Sequence, residues 1–310
     1  MRVKTAQSFH RVFAAVLSAS VAWVLVSIAL GGLDLRAAQQ PKDIEKKLKN
    51  RTLSWSPPKI DAKLHSSISS PPCVLVSVLE KASGRVNALA ENLQNFASQE
   101  DISYETFDHW GFIADRGRET FDYVVDFQQR QGGLVVQESR NPRKGSSLSA
   151  ITTQDIGLAE MALIFLPNMQ NDYDMSCEAT TEWERRTAWV VRFQQRKDKP
   201  GRTLAFRGGS AVYPAKLTGR AWIATDSGEV VHIEAGLMEE IPGTNVRNWY
   251  LSLSYAPVQF RTRDERIWLP QIVDAYCEFD DRRTIVYHTF TDFVLSSVQI
   301  DQKIEKPKEP

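Results

Sequence analysis

Lys216-Leu-Thr-Gly-Arg-Ala-Trp-Ile-Ala224, Thr225-Asp-Ser-Gly228 and Glu229-Val-Val-His-Ile-Glu234 follow one another in the chain. Two β-rich runs joined by a turn of Thr, Asp, Ser and Gly read as a hairpin, since Gly tolerates positive φ and Asp and Ser bond the local backbone. Downstream, residues 248–255 put Trp249, Leu251, Leu253 and Tyr255 on one face and Tyr250, Ser252 and Ser254 on the other. Ile267 to Phe279 follows with Pro270 near its start, where a strand ladder tolerates proline best. Arg283 to Leu295 is the last long strand, and a charged tail, 301–310, closes the chain.

Upstream, Val74, Val78, Leu79, Ala82, Val86, Leu89, Ala90, Leu93 and Phe96 recur at three- and four-residue steps, which is a helical stripe within 73–96. Strand-like runs come next at Ile102–Trp110, Thr120–Gln128 and Gly133–Ser139. Phe121, Tyr123, Val125 and Phe127 alternate with more polar neighbours, the mark of a half-buried strand. Thr153 to Pro167 reads as a second helix ended by its proline. Met175–Gln195 and Thr203–Arg207 return to strand chemistry. About ten strands and two helices without β–α alternation give an α+β fold: a curved antiparallel sheet, a half-open barrel, with both helices on one face.

Met1 to Arg11 is basic and Val12 to Leu33 is apolar, so the first 38 residues read as an export signal or an N-terminal membrane anchor. Leu35-Arg-Ala37 is a mediocre cleavage site, which leaves both outcomes open; the rest lies in the periplasm or on the extracytoplasmic face of the inner membrane. Residues 39–72 have linker composition, with a basic run at 46–51 that either stays solvated or is drawn to anionic headgroups. The folded domain is expected over 73–300.

The 310 residues carry 38 basic and 38 acidic side chains, a balance that excludes a global pull on nucleic acid. Phosphate-loop and dinucleotide fingerprints are missing, and no cofactor or metal is expected. Three cysteines, Cys73, Cys177 and Cys277, have no C-x-x-C spacing. They are either three buried thiols or one pair plus a free thiol, and the pair expected is Cys177 with Cys277, both in strand-like runs.

The exported N-terminus, the helix–strands–helix order, the Gly-x-Ala-Trp-Ile hairpin, the Ile-Trp-Leu-Pro270 strand entry and the closing strand together resemble the lipoprotein-carrier superfamily of bacterial envelope proteins. That superfamily includes the periplasmic carriers, their outer-membrane receptors and the envelope-stress regulators; a set of exported bacterial proteins of similar layout is also similar. The resemblance implies a half-open antiparallel barrel capped by helices.

Chemistry-bearing groups are sparse. His232, His288 and Asp292 would make a base or half a metal site if one sheet face held all three. Glu105, Asp108 and His109 form a second group, while Glu278, Asp280 and Asp281, like Glu182, Glu184, Arg185 and Arg186, read as solvated turns. Aromatic residues concentrate in the last third of the chain, and Trp222, Trp249, Tyr255 and Trp268 are the expected walls of an apolar cavity. The function expected is a non-enzymatic envelope module that holds a lipid, a lipidated protein or an apolar peptide. The alternative is an anchored sensor or scaffold that docks another envelope protein, and a hydrolase is the third reading. Partners are a lipid or lipoprotein and, with an uncleaved segment 12–33, the cytoplasmic membrane.

Overall fold

The computed structural model describes residues 57–60, 62, 64, 68, 71–92, 95–130, 133–147, 157–208, 211–260 and 266–295. The N-terminal apolar segment, the basic run and the charged tail lie outside the described residues. Among the described residues no helix is long and apolar enough to cross a membrane.

Helix α1 (Leu75–Asn92) leads into a meander of β1 (Asn95–Phe107), β2 (Ile113–Arg130) and β3 (Gly133–Pro142). After a long connection come β4 (Tyr173–Trp183) and β5 (Arg186–Gln195), a small hairpin of β6 (Ala205–Gly208) and β7 (Ala211–Pro214), and then β8 (Leu217–Ala224) and β9 (Val230–Leu237). The last strands are β10 (Val246–Gln259), β11 (Arg266–Phe279) and β12 (Arg282–Leu295). Ten of these strands form one sheet in the order β3-β2-β1-β12-β11-β10-β9-β8-β5-β4, and β6 pairs only with β7. The pairings are antiparallel, as the hairpin pattern of the sequence predicts.

One pairing sets the whole layout. Strand β12 docks on β1, from Phe96 opposite Leu295 to Phe107 opposite Arg283, so the ends of the domain meet in mid-sheet. β3 and β4 are thereby left at opposite edges, and the chain between them has to travel from one edge of the sheet to the other. It does so on the face that carries α1. Leu158, Met161, Leu163, Ile164, Phe165 and Leu166 from this crossing join Val78, Ala82 and Val86 of α1 in the main core.

The second expected helix, Thr153–Pro167, meets the crossing, and its first four residues lie outside the described residues. Its described part is a 3-10 helix, Met161–Phe165, followed by a four-residue helix α2, Pro167–Gln170. Pro167 opens α2 instead of ending a longer helix, since the first helical turn needs no N–H from it. Pro270 sits where expected: it faces Tyr255 at a register shift of the β10–β11 ladder, where a missing N–H costs no regular bond.

The disulfide is a second correction. Cys73 pairs with Cys177, and Cys277 is buried outside the disulfide. Both Cys177 and Cys277 do lie in strands, but β10, β9, β8 and β5 stand between β11 and β4. Cys73, just ahead of α1, comes to the β4 edge, with Cα atoms 5.7 Å apart, within disulfide reach.

Candidate functional site

Side chains alternate across each strand, so the sheet has an inner face, against α1 and the crossing, and an outer face. The inner face is filled. Phe96, Phe121, Phe165, Phe193, Trp249, Phe260, Phe290 and Phe293 are all fully buried, and side chains of the described part of the crossing pack in the same core.

A charged cluster is built into this core. Glu100 of β1 takes two bonds from the Arg140 guanidinium of β3, at 2.6 Å and 2.9 Å, and its Oε1 lies 2.8 Å from His288 Nδ1 of β12. Burial opposes the ionised form of Glu100, but Arg140 and His288 outweigh it and hold the carboxyl below its ordinary range. Tyr123 lies under the Arg140 guanidinium, 5.4 Å from ring centre to Cζ. Glu138, also on β3, accepts the N–H groups of Gly157 and Ala159 at 3.1 Å and 2.7 Å and so ties down the start of the crossing. Next to it Glu160 is pushed up to about 8 by burial and by Glu138.

The outer face is unusual for a sheet with one packed side, whose other face is normally polar. Trp183, Trp222 and His232 form a stack, with Trp183 3.9 Å from His232 and 5.5 Å from Trp222, ring centre to ring centre. The Arg186 guanidinium sits 5.1 Å over the ring of Trp268. Farther along, Phe107, Tyr250, Tyr276, Ile285 and Tyr287 make a second apolar cluster.

Ile60, Ala62 and Leu64 lie against this face. Ile60 packs on the tyrosine cluster and Leu64 on the tryptophan cluster. Gly236 of β9 makes the seat for Ile60: a Cβ there would stand 3.1 Å from Ile60 Cδ1. Arg192 donates to the Ile60 carbonyl at 3.2 Å, Arg220 donates to the Ala62 carbonyl, and the Leu64 N–H donates to Glu178 Oε1 at 3.2 Å. Arg220 and Glu178 are themselves a bidentate pair with both side chains largely buried. Burial works against the Glu178 charge, yet the bonds from Arg220 and Leu64 keep its carboxyl below the usual range. The Ile68 N–H then bonds the Thr180 carbonyl at the β4 edge, and the disulfide at Cys73 follows.

The expected site residues are divided between the two faces. Trp249 and Tyr255 belong to the inner core, Trp222 to the outer cluster, and Trp268 touches both. They do not form one wall. His232 and His288 also part company: His232 lies on the outer face with its Nδ1 3.1 Å from Ser254 Oγ, and His288 lies on the inner face with Glu100. Asp292 is exposed, with φ of 52°. The proposed base-and-carboxylate group therefore does not assemble. Asp108 caps the β1–β2 turn by accepting the N–H groups of Trp110 and Phe112, whose rings stand in solvent. Glu184 and Arg185, both at positive φ, make the β4–β5 turn, and Asp280 does the same between β11 and β12.

Sequence reasoning missed Glu100, Arg140, Glu178 and Arg220. Glu178 and Arg220 at least lie inside strand-like runs, where burial without a partner would be costly, whereas Glu100 and Arg140 fall just outside the runs read from the sequence.

No family model matches the chain, and no curated protein matches it. Solved structures similar to it include an outer membrane lipoprotein-sorting protein domain from Vibrio parahaemolyticus, at 10% identity and a TM-score of 0.39, covering 72% of this chain and 94% of that one. A DUF1329 family protein from Desulfovibrio piger shares 11% identity at a TM-score of 0.36, with 74% and 97% covered. A LolA superfamily protein from Nitrosomonas europaea shares 12% identity at a TM-score of 0.31, with 73% and 96% covered.

Proposed function

We propose that this protein is a non-enzymatic binding module of the bacterial cell envelope that docks a partner protein through the outer face of its sheet. One observation carries the reading: an outer face with Trp183, Trp222, Tyr250, Trp268, Tyr276 and Tyr287, next to an inner face already filled by the chain itself. Amphipathic rings of this kind are enriched where proteins meet. The Cys73–Cys177 bond fits an oxidising compartment, which supports the export reading of the N-terminus.

A second reading keeps the lipid. The described part of the crossing is short helical turns held at Glu138, and if it swings out, the inner face could take an acyl chain. Mass spectrometry of protein extracted from the envelope separates the two. Docking predicts lipid-free protein and, from a photo-crosslinker at Arg186 on the outer rim, one defined protein adduct. Stoichiometric lipid with no adduct would transfer the function to the inner face.

A further inference from the structure

The outer face does more than carry aromatic rings. Its buried Arg220–Glu178 pair, with Arg192, contacts main-chain atoms of residues 60–64: two carbonyls are met by guanidinium donors and one N–H by a carboxylate. Main-chain recognition of this kind is indifferent to most of the side chains that pass over it. Selectivity comes from two seats four residues apart, the Gly236 notch under Ile60 and the tryptophan cluster under Leu64. Both aliphatic residues are only half-buried there, and farther along the Ile68 N–H bonds the Thr180 carbonyl and the Thr180 hydroxyl donates to the Pro71 carbonyl.

We infer that this is a peptide-docking groove occupied in cis by the stretch that carries Ile60, Ala62 and Leu64, and that its partner is a segment of another envelope protein with aliphatic side chains at positions i and i+4. The inference rests on the docking reading and names its surface. The covalent tether at Cys73 lies after residue 68, so the occupant can leave the groove while the disulfide stays closed. A cis segment competes at an effective concentration in the millimolar range, which masks the groove from a weak partner and yields to a strong one.

The test uses the full chain, the full chain with Ile60→Asp and Leu64→Asp, and a fluorescent synthetic peptide of residues 57–70. Anisotropy should show the peptide binding the double variant about tenfold or more tighter than the wild type, because the cis competitor is gone. A peptide with aspartate at both aliphatic positions should not bind. On wild-type protein, excess unlabelled peptide should speed hydrogen exchange at the Leu64 and Ile68 amides, which keeps the test open if the variant fails to fold. Equal, weak binding to both proteins with unchanged exchange would overturn the groove. Concentration-dependent dimers of the variant in sedimentation equilibrium would overturn the partner assignment in favour of a second copy. An Arg186 adduct that excess peptide does not compete away would reject the groove and leave the docking reading standing.

Discussion

Two stretches outside the main sheet cover its two faces, and they do so in different ways. Residues 157–166 enter the inner face with side chains: Leu158, Met161, Leu163, Ile164, Phe165 and Leu166 are all buried. Ile60, Ala62 and Leu64 lie on the outer face largely through their backbone, with the side chains of Ile60 and Leu64 as half-buried anchors. The inner stretch is also the connection between two sheet edges, so the topology cannot be completed without it, whereas nothing in the strand order depends on the outer one. A segment that the fold needs becomes core, and a segment that merely rests on the fold is free to be exchanged.

Mutations should reveal this asymmetry. Phe165→Ala should lose about 3–5 kcal/mol in urea unfolding, the cost of an emptied core position. Arg140→Met should lose a similar 3–5 kcal/mol, because it strands the Glu100 carboxylate without its main partner. Leu64→Ala, on the outer side, should lose less than about 1.5 kcal/mol, given its partial burial. Comparable losses for Leu64 and Phe165 would erase the distinction.

A smaller effect follows from Glu160. Its carboxyl binds a proton up to about pH 8 in the fold, against an ordinary value of 4.5. The folded state therefore holds more protons than the unfolded one between these values, and stability falls as pH rises from 4.5 through 8. Glu160→Gln should flatten that part of the stability curve, measured by urea midpoints at pH 5 and pH 8.5. An unchanged slope would show that the crossing leaves this group in water.

Much of the fold was legible locally. Alternation in 121–127, the turn at 225–228 and the position of Pro270 each depend on neighbours in sequence, and each matches the structure. What was not legible depends on long-range pairing. Glu100 finds Arg140 at 40 residues' separation and His288 at 188, through the β1–β12 contact that no local pattern announces. The direction of Trp222 was hidden for a different reason: every residue of β8 is buried, so the strand has no polar face to mark its sides. Cys177 and Cys277 looked alike as strand residues, and only the strand order separates them.

Hydrogen exchange on the full-length protein, resolved to single amides, tests the exchangeable outer segment and fixed inner segment most directly. The Leu64 and Ile68 amides should exchange through local openings well below the global unfolding free energy, while amides of Leu163 and Leu166, bonded within the crossing, should exchange only with global unfolding. Local opening of the crossing beneath a fully protected outer segment would contradict the account and move the binding site to the inner face.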